Sequence, residues 1–280
     1  MKKALFTLAV GDNPMYRAAV MSFERYSDRV GADLVVAEEL HYPITLDKPR
    51  HTASKAWTEK LYIGELLKEY DRVLYLDADI IVAPHARDIF EVYTDPETLY
   101  AFNEGQLLER QHVIDKITAI MGPLDNWPQY NGKPVYYNVG CMLISRQCPL
   151  FDIATLDDLQ KLCNHIQYYE QTYFNYLLHR DGLRHESISA EFNRMDALGE
   201  QDYRDSSFIH YAGRGYTNST LKREARYVND FCDMFEGIID AATLADIRQS
   251  GWNLFIDKAK KRYKLPRPVV EMLARQFVTI

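Results

Sequence analysis

The chain has 280 residues, of which 47% are hydrophobic and 26% charged, with 13 glycines and 11 prolines. That length fits one large core, or a core with an appendage, and the composition excludes collagen-like and low-complexity character. Thirty-three basic against 40 acidic side chains give a net charge of -7; this argues against a protein that wraps a nucleic-acid backbone, so any anionic ligand has to be caught by a local cluster of cations.

Met1-Lys2-Lys3 followed by Ala4 to Val10 has the outline of a secretory leader, but the apolar stretch is short and Asp12 follows closely, so it reads as a first buried strand. Residues 3–10 and 32–37 read as strands, separated by a helix at 15–26 that follows the breaker Gly11-Asp12-Asn13-Pro14. From Lys55 to Tyr70 the apolar positions Ile63, Leu66, Leu67 and Tyr70 recur at helical spacing, and Arg72 to Leu76 turns strand-like. This alternation through the first 120 residues is the signature of a parallel sheet covered by helices. Beyond Pro84 the pattern predicts a strand at 99–103, a helix near 106–121, a turn region through Lys133-Pro134 and a strand from Val135 to Ser145. Helices follow across 155–180, short strands near 184–189 and 207–211, and helix from Leu221 onward. The four cysteines (Cys141, Cys148, Cys163, Cys232) form no C-x-x-C pair and read as reduced, partly buried thiols. No run approaches the roughly twenty apolar residues that span a bilayer, and the chain reads as soluble and cytoplasmic.

In the segment Arg72 to Val82 a continuous apolar run is broken by two carboxylates, Asp77 and Asp79, which an extended chain points to one face. Acids at the edge of such a sheet, where open α/β folds bind ligands, favour a divalent cation with oxygen ligands, Mg²⁺ or Mn²⁺. Two other readings stand beside this one. The pair is either two solvated acids at a strand end, or a phosphatase-like nucleophile and acid/base. The latter would continue with Gly-Thr where this chain has Ile80-Ile81, and its downstream candidates Asp157-Asp158 look like a helix start.

Tyr137-Asn138-Val139-Gly140-Cys141-Met142-Leu143-Ile144 and Phe208-Ile209-His210-Tyr211-Ala212-Gly213 each combine a strand with polar residues and a glycine. Together with Leu76-Asp77-Ala78-Asp79, Glu170-Gln171 with Asn175, and Phe192-Asn193, they make five motifs over residues 4–216. In these motifs the chain resembles the nucleotide-sugar glycosyltransferases of the glycogenin and bacterial lipopolysaccharide galactosyltransferase type, family 8. The resemblance implies an α/β GT-A fold, a Rossmann-like nucleotide-binding mixed sheet flanked by helices. The glycosyltransferase domain would span 1–217, with a nucleotide-binding half at about 1–83 and an acceptor half at about 84–217, and 218–280 would form a helical C-terminal appendage.

The resemblance further implies a metal-dependent hexosyltransferase. It would move a hexose from a nucleotide sugar, UDP-linked, to a carbohydrate or glycolipid acceptor in polysaccharide or lipopolysaccharide biosynthesis, with retention of anomeric configuration. Mn²⁺ or Mg²⁺ would be held by Asp77, Asp79 and His210; taken alone, His210 reads equally as a strand histidine bonding a backbone carbonyl. The stretch Thr7 to Tyr16 corresponds to a uridine pocket, with Thr7 and Ala9 near the base and Asp12 and Tyr16 contributing side chains. Asp12 reads equally as a turn residue, and Tyr16 as core. Lys60 corresponds to a basic residue that reaches the donor, its alternative being an exposed helix lysine. Ala78 falls within the donor motif, Asn138 and Gly140 line the transferred sugar, and Gly213 belongs to the late donor motif. Gln171, beside Glu170, corresponds to the catalytic position flanking the sugar. A glutamine is a poor covalent nucleophile, so front-face attack by the acceptor hydroxyl is expected, the leaving phosphate taking its proton. Glu170 and Gln171 otherwise start a helix that buries Tyr173, Phe174 and Leu177.

Past His210 the sequence departs from the family. Where a Lys-Pro-Trp is usual, this chain has Gly213-Arg214-Gly215-Tyr216-Thr217, so Arg214 is the expected substitute on the diphosphate, with Lys222 a more distant candidate. Alternative functions are a sugar-nucleotide pyrophosphorylase, for which Ala9-Val10-Gly11-Asp12 supplies only a single glycine, and a catalytically silent carbohydrate-binding relative. The tail from Lys258 to Arg275 interleaves Lys and Arg with Tyr263, Leu265, Val269, Val270, Met272 and Leu273. It reads either as a solvated helix pair packed on the core or as a segment lying peripherally on the inner face of a membrane, with a glycolipid acceptor.

Overall fold

The structure, a computed structural model, describes residues 1–47 and 53–277. The first elements in chain order are β1 (Lys3–Leu8), α1 (Pro14–Val30), β2 (Ala32–Ala37), α2 (Tyr62–Glu69), β3 (Arg72–Leu76), β4 (Ile80–Val82), α3 (Ile89–Val92), β5 (Leu99–Asn103) and α4 (Gln111–Met121). They are followed by β6 (Gln129–Tyr130), β7 (Lys133–Pro134), β8 (Tyr137–Ser145), α5 (Leu150–Ile153), α6 (Leu156–Leu162), α7 (Tyr169–Arg180) and β9 (His185–Ser187). Last come β10 (Arg194–Met195), β11 (Phe208–His210), α8 (Arg223–Met234), α9 (Ala241–Tyr263) and α10 (Arg267–Phe277). The helical region expected over 218–280 is described as far as residue 277; residues 278–280 lie outside the described residues.

The chain divides into two compact units. The first comprises Met1–Val10, Ser27–Asp77 and Asp88–Phe192, and the second Gly11–Tyr26, Ala78–Arg87 and Asn193–Ile280. The first unit holds a six-stranded mixed sheet in the order β2-β1-β3-β8-β5-β9. Strands β2, β1 and β3 are parallel, in keeping with the sequence pattern, but β8 runs antiparallel to both β3 and β5, which makes the sheet mixed. β3 and β8 are buried at every position because they lie in the middle of this sheet, which is why they read as unbroken apolar runs. Arg72, buried inside β3, is tolerated because its guanidinium donates to Ser145 Oγ at 2.9 Å and to the Tyr93 carbonyl at 2.6 Å.

A register shift between Ala101 and Phe102 brings Phe102 opposite Asn138 on β8. Such bulges re-aim side chains, and here the re-aimed end carries Asn138 and the acid that follows β5, Glu104. Helix α7 is buried from Tyr169 to Leu178. Asn175 fastens it to β8, accepting the Tyr137 N–H at 2.6 Å and donating to the Tyr137 carbonyl at 2.9 Å. One continuous apolar core runs from Ala4 through Val73, Tyr75 and Met142 to Leu178.

The second unit contains a three-stranded sheet, β10-β11-β4, with β11 antiparallel to β4 and His210 opposite Ile80. β3 therefore ends at Leu76, and the chain turns at residues 78–79 before β4 starts in a different sheet. This corrects the expectation of one extended strand carrying both carboxylates on one face. Helix α8 is tied to β4 by the Tyr227 hydroxyl on the Ile80 carbonyl at 2.8 Å, and α9 packs on α8. All four cysteines are free and buried.

Candidate active site

In the first unit the polar residues at the ends of β3, β5, β8 and α7 form one buried network. Lys60, in a short turn of 3₁₀ helix, is only 2% exposed, and its ammonium lies 3.1 Å from Glu170 and 3.5 Å from Asp77. Burial alone pulls a lysine's pKa down, but the two carboxylates outweigh it and hold the Lys60 ammonium above its ordinary value. The Glu170 carboxyl is pushed up by burial, which Lys60 only partly offsets, and its Oε2 has no hydrogen-bond partner among the described residues. Asp77 is oriented from both sides. Its carboxylate accepts the Tyr75 hydroxyl at 2.5 Å, and its N–H donates to the Gly140 carbonyl at 2.7 Å.

Glu104 is the hub of the remainder. One of its oxygens accepts from Gln171 Nε2 at 2.9 Å and from Arg110 Nε at 2.7 Å, the other from Asn138 Nδ2 at 2.9 Å. Gln171 Oε1 accepts the Val139 N–H at 3.2 Å, and Asn138 Oδ1 accepts the Gly140 N–H at 3.1 Å. Each amide is thus fixed at both ends, and a network satisfied in this way is rigid. Gly105 makes the turn after Glu104 feasible, since a Cβ there would lie 2.2 Å from the Pro134 carbonyl oxygen.

In the second unit the centre is Asp79. Its Oδ1 lies 3.1 Å from His210 Nε2 and its Oδ2 3.3 Å from Arg223 Nη1, while its backbone carbonyl accepts the Tyr211 N–H at 2.9 Å. His210 is buried, and its Nδ1 is 2.8 Å from Asn193 Oδ1, which assigns the Nδ1–H tautomer and turns the Nε2 lone pair toward Asp79. Two acceptor atoms at that separation need a proton or a cation to reconcile them. Oxygen and imidazole donors suit a divalent cation, so these residues fit one. Asp77 precedes Asp79 by two residues and is joined to it through the buried Ala78.

The first unit therefore contains Lys60, Asp77, Asn138, Gly140, Glu170 and Gln171 as one network, and the second contains Asp79 and His210 as one contact. Thr7 is wholly buried in β1, and its Oγ1 has no hydrogen-bond partner among the described residues. The Ala9 N–H is committed to the Ala37 carbonyl at 2.8 Å. In the second unit Asp12 is exposed, and Tyr16 is half-buried in the first turn of α1. Gly213 and Arg214 are exposed; the Arg214 backbone N–H reaches Asp196 at 3.3 Å, and Lys222 caps α8. The guanidinium that meets Asp79 belongs to Arg223, which the motif comparison did not single out. Glu104, Arg110 and Arg223 were likewise absent from the sequence-derived site. The only local signal for Glu104 was an acid followed by glycine at the end of an apolar strand.

The family profile described as Glycosyl transferase family 8 matches residues 34–215. No curated protein sequence matches the chain. Among solved structures, a glycosyltransferase involved in glycosylation of the major capsid of PBCV-1 superposes with a TM-score of 0.52 at 16% identity, covering 81% of this chain and 98% of that one. The galactosyltransferase LgtC, in complex with donor and acceptor sugar analogues, superposes with a TM-score of 0.51 at 15% identity, covering 84% of this chain and 100% of that one. The bifunctional glycosyltransferase WbbM gives 0.53 at 14% identity over 84% of this chain and 51% of that one. The shared architecture is the GT-A fold.

Proposed function

This chain belongs to glycosyl transferase family 8, and we propose that as a glycosyltransferase it moves a hexose from a UDP-sugar to a carbohydrate or glycolipid acceptor with retention of configuration. Asp77, Asp79 and His210 would hold Mn²⁺ or Mg²⁺. The observation that carries this reading is the Asp79–His210 contact, with the imidazole fixed from behind by Asn193. When bound, a divalent cation there neutralises charge that builds on the departing diphosphate.

The protein's own groups divide the remaining work. Lys60 and Tyr75 orient Asp77, and Asn138 and Gly140 line the transferred sugar. Thr7, Ala9, Asp12, Tyr16, Ala78 and Gly213 complete the donor site, with Arg214 near the diphosphate. Gln171 stands beside the anomeric carbon as a dipole rather than a nucleophile, because it is an amide and its oxygen is already committed to Val139 and Asn138. Retention then follows from front-face attack by the acceptor hydroxyl, whose proton passes to the leaving phosphate.

Calorimetry tests the metal and donor assignment together. UDP binding should require Mn²⁺ and vanish in Asp79→Ala; binding that survives unchanged in that variant rejects it. Incubation with UDP-, GDP- and dTDP-sugars, monitored for slow hydrolysis, identifies the donor.

Among the described residues no helix is long and apolar enough to cross a membrane. The C-terminal helices nevertheless expose Tyr263, Leu265, Val269, Met272 and Leu273 among lysines and arginines, while Phe255, Ile256, Val270 and Ala274 hold α10 on α9. This supports peripheral contact with an anionic bilayer at the cytoplasmic face and a lipid-linked acceptor. Sedimentation with anionic liposomes should be lost in Met272→Glu/Leu273→Glu, and equal pelleting of the two proteins would dismiss the contact.

A further inference from the structure

The second unit contains an open cleft of about 630 Å³ whose lining includes Gly213, Arg223, Glu224, Lys258, Lys261 and Arg262. Four lining cations meet one lining carboxylate, Glu224, and a second, Asp79, which pairs with Arg223, so a local surplus of two positive charges remains in a chain whose net charge is -7. The lining acid is already engaged. Glu224 is 6% exposed and lies 2.7 Å from Lys258 Nζ and 3.4 Å from Arg223 Nη2, so it positions two of the cations. Among the described residues Lys261 and Arg262 enter no ion pair, and both are exposed.

The Arg223 side chain has a path made for it. Gly215 has φ +55°, and a Cβ there would come within 2.6 Å of Arg223 Cγ. Glycine at this position lets the stem of Arg223 pass and reach Asp79 Oδ2 at 3.3 Å. The cleft also opens at the start of α8, where the first backbone N–H groups and the helix dipole add to the positive field.

We propose that this cleft is a phosphate-binding site formed by Arg223, Lys258, Lys261 and Arg262. Paired guanidinium and ammonium groups with a surplus of two positive charges match a multiply charged phosphate rather than a neutral sugar. Its ligand is either the diphosphate of the nucleotide sugar or a phosphate carried by the acceptor. Which of these it serves rests on the transfer reaction proposed above; the binding itself does not.

The test is titration of the full chain with inorganic pyrophosphate in the absence of divalent metal. The wild type should bind saturably, and Lys261→Glu/Arg262→Glu should weaken binding by about tenfold or more, as expected when charge-assisted contacts are removed. Because Lys261 and Arg262 are exposed, that variant should melt at the wild-type temperature without ligand. The variant Lys260→Glu/Lys264→Glu makes the same change of charge outside the cleft and should bind as the wild type does. Absence of binding to the wild type, or an equal loss in both variants, overturns the site. UDP titration with excess Mn²⁺ then identifies the source. A loss in Lys261→Glu/Arg262→Glu parallel to that for pyrophosphate assigns the cleft to the donor diphosphate, and unchanged UDP affinity assigns it to a phosphorylated acceptor. If UDP fails to bind even the wild type, the donor reading falls while the pyrophosphate result stands by itself.

Discussion

Lys60 and Glu170, 110 residues apart in the chain, meet as a buried ion pair at 3.1 Å, with Asp77 on the other side of the ammonium. One buried lysine thus serves two carboxylates, Glu170 buried with it and Asp77 partly open to water. Removing it leaves both acids without their counter-ion. Lys60→Met should therefore cost about 3–5 kcal/mol of stability by urea denaturation. Adding Glu170→Leu should recover part of that loss in a double-mutant cycle. A single-variant cost below about 1 kcal/mol, the range of exposed pairs, would contradict the buried pairing.

Asn193 Oδ1, 2.8 Å from His210 Nδ1, sets which nitrogen of His210 faces Asp79. Asn193→Ala should weaken Mn²⁺-dependent UDP binding by about 10- to 100-fold, the usual effect of losing a partner behind a ligating histidine. Asn193→Asp, which keeps an acceptor at the same place, should restore most of it. Equal affinity in all three proteins would show that the ring is held by other means.

Gly251 lies in the middle of α9 where it crosses α8, and a Cβ there would fall 2.0 Å from Val228 Cγ2. Alanine normally stabilises a helix interior by about 1 kcal/mol relative to glycine. Here overpacking of about 1–3 kcal/mol should win, so Gly251→Ala lowers the melting temperature. In a Val228→Ala background the same substitution should become neutral or stabilising, and thermal melts of the four proteins check the reversal of sign.

His179 is half-buried against Trp127, with Nε2 3.1 Å from the Val135 carbonyl. Burial, aided by the neighbouring His185, depresses its pKa from 6.5 to about 4. The unfolded chain therefore binds a proton at pH values where the folded protein does not. Stability from this group is complete above about pH 6.5 and declines as pH falls toward 4, by on the order of 3 kcal/mol in total. In His179→Gln the slope of unfolding free energy over that window should flatten, and an unchanged slope would place the acid sensitivity elsewhere.

The central strands were legible because burial on both faces leaves a continuous apolar run. β3 and β5 fall at Arg72–Leu76 and Leu99–Asn103, as the pattern predicted, and the partly buried edge strand β2 falls at Ala32–Ala37, also as predicted. Asp77, Asp79 and His210 were legible as residue types in motif order. Less was legible at element ends: the helical stretch expected from Lys55 begins as a 3₁₀ turn over Lys55–Leu61, and the helices expected across 155–180 are α6 and α7, whose boundary the pattern did not mark. Arg223, which meets Asp79, carried no signal in the sequence, because it lies outside every motif and reaches the acid only through the packing of α8.

The sequence by itself determined the alternation of strands and helices, the order of the five motifs and the family to which they belong, because apolar periodicity and short polar motifs are local properties of a chain. Only the tertiary structure decided that β8 runs antiparallel between β3 and β5, that Glu104 rather than a motif residue joins Asn138 to Gln171, and that Lys60 is buried between two acids. Those outcomes depend on which distant polar groups can satisfy one another once water is excluded, and a buried charge leaves no mark on its neighbours in sequence.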